Sequence, residues 1–505
     1  MNHLTVTRIF SVFAICLSLL VSSPPKSVQA QSTTITFKVN TTDDRVDANP
    51  GDGVCATSNP VRCTLRAATM EANNIHTATN TSILIVLQPT TYTLTLKNNN
   101  IGVPLSTVTD TNIQVTIEGT NGSATIQGGA GWNNQIINTA SVSGQSSSQT
   151  SLRNLIIQNG TTGIVGGGVF ENVTIRNNIS GGGITVTTPL TCLNCVISNN
   201  SKIGDGGGIT VNAALTCVNC VISNNSATGN GGGVAMSLGN SSNQGFNVFI
   251  QNTIISDNQA SLSGGGIFAS TLSHPDSTNR LKVDKTTLAR NQAGIDGGGI
   301  FVDGDALSPQ TQFVLFTSTI SANTAKGNGG GLAIMEGPTS IQDSTIAFNN
   351  ADVDRVGGGD GGGIFVFTPE ENFITNTILA GNDDLSSRVK QRDCSGTIES
   401  GGYNLLQSTQ GCTFTGSLTG NILNQSPNLL PLNFYLGNEV TQTPPQGLTP
   451  THAYTPTSPG VDDGNPAGCI GTEAQNGVSR HLAATGGGGP GNCDIGAFEL
   501  VGPDV

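Results

Sequence analysis

A phrase of the form T-I-x-x-N-x-A, followed a few residues on by G-G-G-I or G-G-G-V, recurs down half of this chain. Its asparagine falls at Asn178, Asn200, Asn225, Asn258, Asn291, Asn323, Asn349 and Asn382. Glycine triplets beginning at Gly206, Gly231, Gly264, Gly297, Gly329 and Gly361 keep step with it, and a less regular copy occupies Asn154 to Gly168. Each unit holds several short runs rich in Ile, Val and Thr and no apolar period of helical length, which is the pattern of one coil in a strand solenoid. The sequence therefore predicts an all-β chain folded as a right-handed parallel β-helix, a pectate-lyase-like solenoid.

Within a run such as Thr253-Ile254-Ile255-Ser256, side chains alternate in and out. Ile255 aligns with Ile222, Leu288, Ile320, Ile346 and Leu379 as an inward aliphatic column. Two residues earlier, Cys220, Thr253, Thr286, Ser318, Ser344 and Thr377 form a smaller inward column. The repeated Asn reads as a corner residue that tolerates left-handed backbone, with amides that also bond from coil to coil. The longer units must carry loops such as Leu272 to Arg280, where a binding surface would arise most easily.

Composition agrees with a stack of small units. Gly numbers 67, aromatics are 4% and charged residues 10%, so the chain lacks the large side chains of an ordinary globular interior. The net charge of −13 argues against a nucleic-acid partner.

The ends differ from the middle. Residues 1–30 read as a secretory signal peptide, with Arg8, an apolar run from Ile9 to Val21, and Val28-Gln29-Ala30 before the cleavage point. That run is too short to stay as a membrane span, and no later stretch reaches the length, so the mature chain carries no transmembrane anchor of its own. An open solenoid exposes strand edges that must be covered. Residues 31–75 are expected to form an N-terminal cap in which CTLRAATMEAN, Cys63 to Asn74 with Leu65, Ala68 and Ala72 on one stripe, is a short lid helix. Residues 76–390 form the repeats, and a Pro-, Gly- and Cys-richer segment, 391–505, is a disulfide-bearing C-terminal cap.

Ten cysteines remain after the signal, an even number that favours disulfides in an exported protein. Cys55 with Cys63, Cys394 with Cys412, and Cys469 with Cys493 are close pairs. Cys192-x2-Cys195 and Cys217-x2-Cys220 have the ligand spacing of a tetrahedral zinc site, but they sit in the duplicated phrases LTCLNCVISNNS and LTCVNCVISNNS, one coil apart. Disulfides are the favoured state for these four, with zinc and free buried thiols as alternatives.

Oxygen-bearing residues precede the glycine triplets: Asp205, Asn230, Ser263, Asp296, Asn328 and Asp360. Stacked carboxylates can take calcium, although alternation with neutral residues reads as corners spaced to avoid repulsion. Asp47, Asn49 and Asp52, in a cluster with Asp43 and Asp44, are the better calcium candidates, against a default of a solvated acidic loop. No other cofactor is expected. For polysaccharide cleavage, which needs convergent carboxylates, the nearest concentration is Asp352, Asp354 and Asp360 with Arg355, and Asp384 beside Asp383 one coil on.

The flanking segments carry two resemblances. Residues 37–74, with DANPGDGVC and then CTLRAA from Cys63, resemble the CSLREA domain, departing from its motif at Thr64 and Ala67. Residues 394–500, with GGYNLL from Gly401, LTPTHAYTPTSPGVDDG from Leu448 and CDIGAFE from Cys493, resemble the choice-of-anchor Q domain. The repeats are also similar to those of chlamydial polymorphic outer-membrane proteins, which are adhesins. These resemblances imply an exported bacterial protein, secreted or associated with the cell surface, and supply no catalytic residue. The sequence thus points to a non-enzymatic, adhesin-like or envelope-structural protein with glycan or protein partners. The alternative is a polysaccharide lyase or glycoside hydrolase.

Overall fold

The computed structural model describes residues 33–75, 81–98, 101–102, 105–106, 113–140, 150–237, 247–270, 280–304, 313–368, 372–443, 445–466, 469, 472–480 and 492–501. The signal-peptide reading of residues 1–30 and most of the loop from Leu272 lie outside them.

One coil shows how the repeat folds. Strands Asn247–Gln251, Ile254–Ser256, Gln259–Ala260 and Ile267–Ser270 follow one another around the helix. Each pairs in parallel with its copy in the next coil: Arg280–Asp284, Thr287–Ala289, Gln292–Ala293 and Ile300–Asp303. Repeating this step builds four parallel ladders, called here the first to fourth sheets, and the chain is a parallel β-helix.

The expected columns are present. Ile222, Ile255, Leu288, Ile320, Ile346 and Leu379 are register partners in the second sheet, all wholly buried. The smaller column is a hydroxyl ladder. The main-chain N–H groups of Cys220, Thr253, Thr286, Ser318 and Ser344 each donate to the side-chain oxygen of the next residue in the column, at 3.0–3.4 Å.

The asparagine column is an amide ladder running through the interior. Asn258 is typical: its Oδ1 accepts from the N–H and Nδ2 of Asn225, while its own Nδ2 donates to Asn291 Oδ1 at 2.9 Å and to Ile222 O at 2.9 Å. Both donors and both lone pairs are used, so burial of the amide carries no unsatisfied group. The backbone reading needs correction. The left-handed residue at this corner is the one before the ladder: Asn199, Asn224, Asp257, Arg290, Ala322 and Phe348 have φ of 54 to 59°. Full use of the amide, and not tolerance of positive φ, is what fixes Asn at the ladder position.

At the N-terminal end, α1 (Leu65–Asn74) packs Leu65, Ala68 and Ala72 onto the first coils, and Thr64 caps it by accepting from Ala67 N–H. A buried Arg66–Asp44 ion pair at 2.6 Å and the Cys55–Cys63 disulfide fix the loop around it.

At the other end the coils continue through Cys394–Gly401, Leu405–Leu406, Cys412–Ser417 and Ile422–Leu423. The rest of the described C-terminal segment then turns back along the outside of the second sheet. Thr451 meets Thr319, His452 meets Ser321, and Gln446 reaches Asn194, eight coils before the last rung. Tyr435, Tyr454, Ile495 and Phe498 pack on Ile378, Ala380 and Leu405. The disulfide-bearing segment is therefore present as expected, and the surface it covers is the side of the stack.

Candidate functional site

The sequence-predicted residues fall into four places. Asp352, Asp360 and Asp384 come together near the turn after the third sheet. Asp384 is buried with both carboxylate oxygens occupied, by Ser386 N–H at 2.8 Å and Gln391 N–H at 2.9 Å. Asp352 is buried with Oδ1 unpartnered. Asp360 is half-buried, and burial, the Asp384 charge and the Asp352 charge raise its carboxyl pKa while the nearby Arg388 opposes them. Asp354 is exposed and accepts from Val356 N–H in its own turn, and Asp383 is held by Lys390 and Arg392. Three of the four candidate carboxylates thus share one neighbourhood, and of those three only Asp360 is not fully buried.

The loop carboxylates read as calcium candidates are engaged with the main chain. Asp47 accepts from Asn49 and Ala56 N–H groups at 2.9 Å each, and Asp52 accepts from Val54 N–H at 2.8 Å. Asp43 pairs with Arg62 and Asp44 with Arg66. The column before the glycine triplets is a second, outer ladder. Asp205 Oδ1 accepts from Asn230 N–H at 2.7 Å, Asn230 Oδ1 from Ser263 N–H at 3.0 Å, Asp296 Oδ1 from Asn328 N–H at 2.5 Å, and Asn328 Oδ1 from Asp360 N–H at 2.9 Å. Among the described residues, no group of three or more His, Cys, Asp or Glu is arranged to hold a metal ion.

The four repeat cysteines correct an expectation. Cys55–Cys63, Cys394–Cys412 and Cys469–Cys493 are disulfides, but Cys192, Cys195, Cys217 and Cys220 are free, buried thiols. Duplication is the physical reason: Cys192 and Cys217 are register partners, so each cysteine stacks on its copy as an ordinary inward residue. The corner thiols turn to carbonyls, Cys195 to Phe170 O at 3.5 Å and Cys220 to Cys192 O at 3.6 Å. Hydrogen bonding from Cys195 and Cys217, with burial, pushes the Cys192 thiol well above its ordinary range.

The fourth place was not singled out from the sequence. The outward face of the first sheet carries Phe249, Lys282, Val314, Ser340 and Phe373 in one column, Gln251, Asp284, Phe316 and Gln342 in the next. Lys282 Nζ lies 5.4 Å from the Phe249 ring centre and 5.7 Å from that of Phe316. Its side chain is 47% exposed. Asp284 beside it is buried, accepts from Gln251 Nε2 at 3.1 Å, and keeps Oδ1 unpartnered; burial raises its carboxyl. Continuing the in–out alternation along Asn247–Gln251 and Arg280–Asp284 would have exposed this row. Flat aromatic rings beside amides and a cation are groups that stack on sugar rings or on another protein's side chains.

The conspicuous phrase CDIGAFE has a structural role. Asp494 accepts from Asp462 N–H at 2.7 Å and Leu500 N–H at 2.6 Å, and burial pushes its carboxyl up to about 6. Glu499 lies 3.6 Å from a fully buried Arg480, and burial pushes it up to about 9. Tyr454 Oη donates to Phe498 O at 3.0 Å. Together they tie the last described residues to the rest of this C-terminal segment, the strap that runs along the outside of the second sheet.

No family model matches the chain, and no curated protein matches it in sequence. A solved structure with a similar chain path is the crystal structure of pectate lyase Pel9A, at 12% identity and a TM-score of 0.43, covering 92% of this chain and 97% of that one. A likeness of this degree assigns no residue a role. Among the described residues, no helix is long and apolar enough to cross a membrane.

Proposed function

We propose that this chain is an exported, non-enzymatic β-helix protein of a bacterial surface or its surroundings, adhesin-like or envelope-structural, which binds glycan or protein partners. The observation that carries the reading is the half-exposed Lys282 set between Phe249 and Phe316 on the outward side of the first sheet, while carboxylates along the scaffold are spent on main-chain N–H groups or ion pairs. The CSLREA-like and choice-of-anchor-Q-like segments and the signal-like start support export. Glycan-array and cell-surface binding by the processed protein tests it: the Phe249→Ala, Phe316→Ala double variant should lose binding while keeping its fold.

A second reading, a polysaccharide lyase or hydrolase, is favoured by the gathering of Asp352, Asp360 and Asp384. A reducing-sugar and unsaturated-product screen over acidic polysaccharides, with and without calcium, separates the two. Turnover abolished by Asp360→Asn would replace the binding reading with the enzymatic one.

A further inference from the structure

A further amide column runs up the corner between the first and second sheets. Asn172, Asn194 and Asn219 each donate Nδ2 to the Oδ1 of the asparagine in the preceding coil, at 3.2 Å. Asn252 holds the next place and keeps the left-handed backbone of the column, with φ of 48°. The bonds stop there: Asn219 Oδ1 and Asn252 Oδ1 are both buried and have no hydrogen-bond partner. The break falls where the strap meets the corner. Gln446 Nε2 donates to Asn194 Oδ1, and a Cβ on Gly447 would stand 3.0 Å from Asn219 Oδ1.

Beside the break a cavity of about 290 Å³ separates the strap from the coils. Asn252 and Lys285 line it from the solenoid, and Leu436, Pro445, Leu448 and Glu473 from the strap. Lys285 and Glu473 pair from the two sides. Gln475 also reaches the wall, but its amide is consumed by Thr319, Thr287 and Thr449. The volume is at the lower end of small-molecule pockets, about 300–1,000 Å³, so the space suits one ring-sized molecule.

The lining restricts what that molecule can be. A cation would meet Lys285 and an anion would meet Glu473, so a neutral molecule fits best. Asn252 Oδ1 and Glu473 require donors, while Leu436, Pro445 and Leu448 offer an apolar wall. A pyranose ring answers both, with hydroxyls around its rim and C–H groups on its faces. We propose that this cavity binds a single neutral sugar ring, whose hydroxyls donate to Asn252 Oδ1 and Glu473 and whose C–H face lies on Leu436 and Leu448. The site is built from residues other than Phe249 and Phe316 and does not depend on the binding reading given to them.

Calorimetric titration of the processed full chain with glucose, galactose and N-acetylglucosamine provides the test. At least one is expected to bind with a millimolar dissociation constant and to shift the methyl resonances of Leu436 and Leu448, with glucuronate and glucosamine about tenfold weaker. Asn252→Gly removes the acceptor and keeps a residue suited to positive φ, so it should fold with an unchanged thermal midpoint and weaken the sugar about tenfold. Leu436→Trp, at a half-exposed position on the strap, should fold and abolish binding by filling the cavity. The Phe249→Ala, Phe316→Ala double variant should bind these sugars as wild type does, which separates this site from the first-sheet face. The proposal is overturned if none of the three neutral sugars binds and the cavity holds water alone. Equal binding by the charged sugars, full binding by Asn252→Gly or Leu436→Trp, or loss of binding in the phenylalanine variant overturns it as well.

Discussion

Asn382 donates its Nδ2 to Asp393 Oδ1 at 2.9 Å and its main-chain N–H to the same oxygen at 3.3 Å, so the interior amide ladder ends on a carboxylate. Asp393 Oδ2 accepts from Ser408 N–H at 2.7 Å. Ending on an acceptor-only group suits the ladder's polarity, since each amide donates forward and the last member needs no further acceptor.

Burial pushes the Asp393 carboxyl up to about 6 against an ordinary value of 3.8, with the Asn382 and Ser408 bonds opposing the rise. The folded state then holds a proton that the unfolded chain releases. The stability from this group is fully present below pH ~4 and is lost as pH rises to about 6. In Asp393→Asn that loss disappears. Chemical denaturation between pH 4 and 6 should show the stability slope of the variant shifted upward by at most about 1.4 kcal/mol per pH unit. An unchanged slope would remove Asp393 from the titrating set.

His452 works in the opposite sense over an overlapping range. It is buried against Leu430 O at 2.7 Å and Ser321 Oγ at 2.8 Å, and burial lowers its pKa from 6.5 to about 4. The unfolded chain binds the proton first, so stability is present above pH ~6.5 and falls as pH drops towards 4. Replacing His452 with Gln should therefore make the strap, followed by Phe348 or Tyr454 environments in nuclear magnetic resonance, less sensitive to acid in that interval. Acid release of the strap at the same pH in both proteins would count against it.

In the middle of the ladder, truncation has no end effect to soften it. Asn291→Ala leaves Asn258 N–H without its acceptor, takes one of the two acceptors from Asn258 Nδ2, and strips Ile255 O of its donor. At about 1–3 kcal/mol for each buried group left unmade, the loss should exceed that of an ordinary core truncation such as Ile255→Val, at about 1 kcal/mol. Urea titrations of the two variants side by side measure the difference.

Gly298 marks how close the coils come at the triplet. A Cβ there would lie 2.3 Å from Gly330 O and 2.5 Å from Thr324 O, both main-chain atoms of the next coil. Gly298→Ala should cost several kcal/mol or fail to fold. Gly53→Ala, in the N-terminal loop with nothing within 4 Å, should stay folded despite its positive φ. Expression yield and thermal midpoints of the pair decide the point.

The repeat made the fold legible because coil stacking depends on period alone: the Ile222–Leu379 column and the amide ladder follow from aligning the copies. Asp393 was not legible. It lies 11 residues after Asn382, outside the phrase, and the carboxylate takes the next ladder place only because the chain shortens its turn there. The path of the strap was hidden for a related reason. His452–Ser321 and Arg480–Asp343 join positions more than 130 residues apart, with no periodic signal between them. The acidic neighbourhood was half legible: spacing placed Asp352, Asp360 and Asp384 near one turn, but which oxygens the main chain occupies depends on local turns that sequence spacing does not determine.

The repeat cysteines give the most direct chemical check. With Cys192, Cys195, Cys217 and Cys220 as free thiols and the other six cysteines of the processed chain in three disulfides, denaturation should release four titratable thiols. The folded protein should release essentially none, because Cys192, Cys195 and Cys217 are wholly buried, Cys220 is nearly so, and a thiol reacts as an exposed thiolate. Cys192→Val and Cys217→Val should each cost about 1 kcal/mol, since the position asks for a small inward hydrophobe of similar volume. A count of zero in denaturant would mean that the stacked thiols had oxidised, and Cys192→Val would then destabilise by the larger amount that loss of a cross-link brings, about 2–5 kcal/mol.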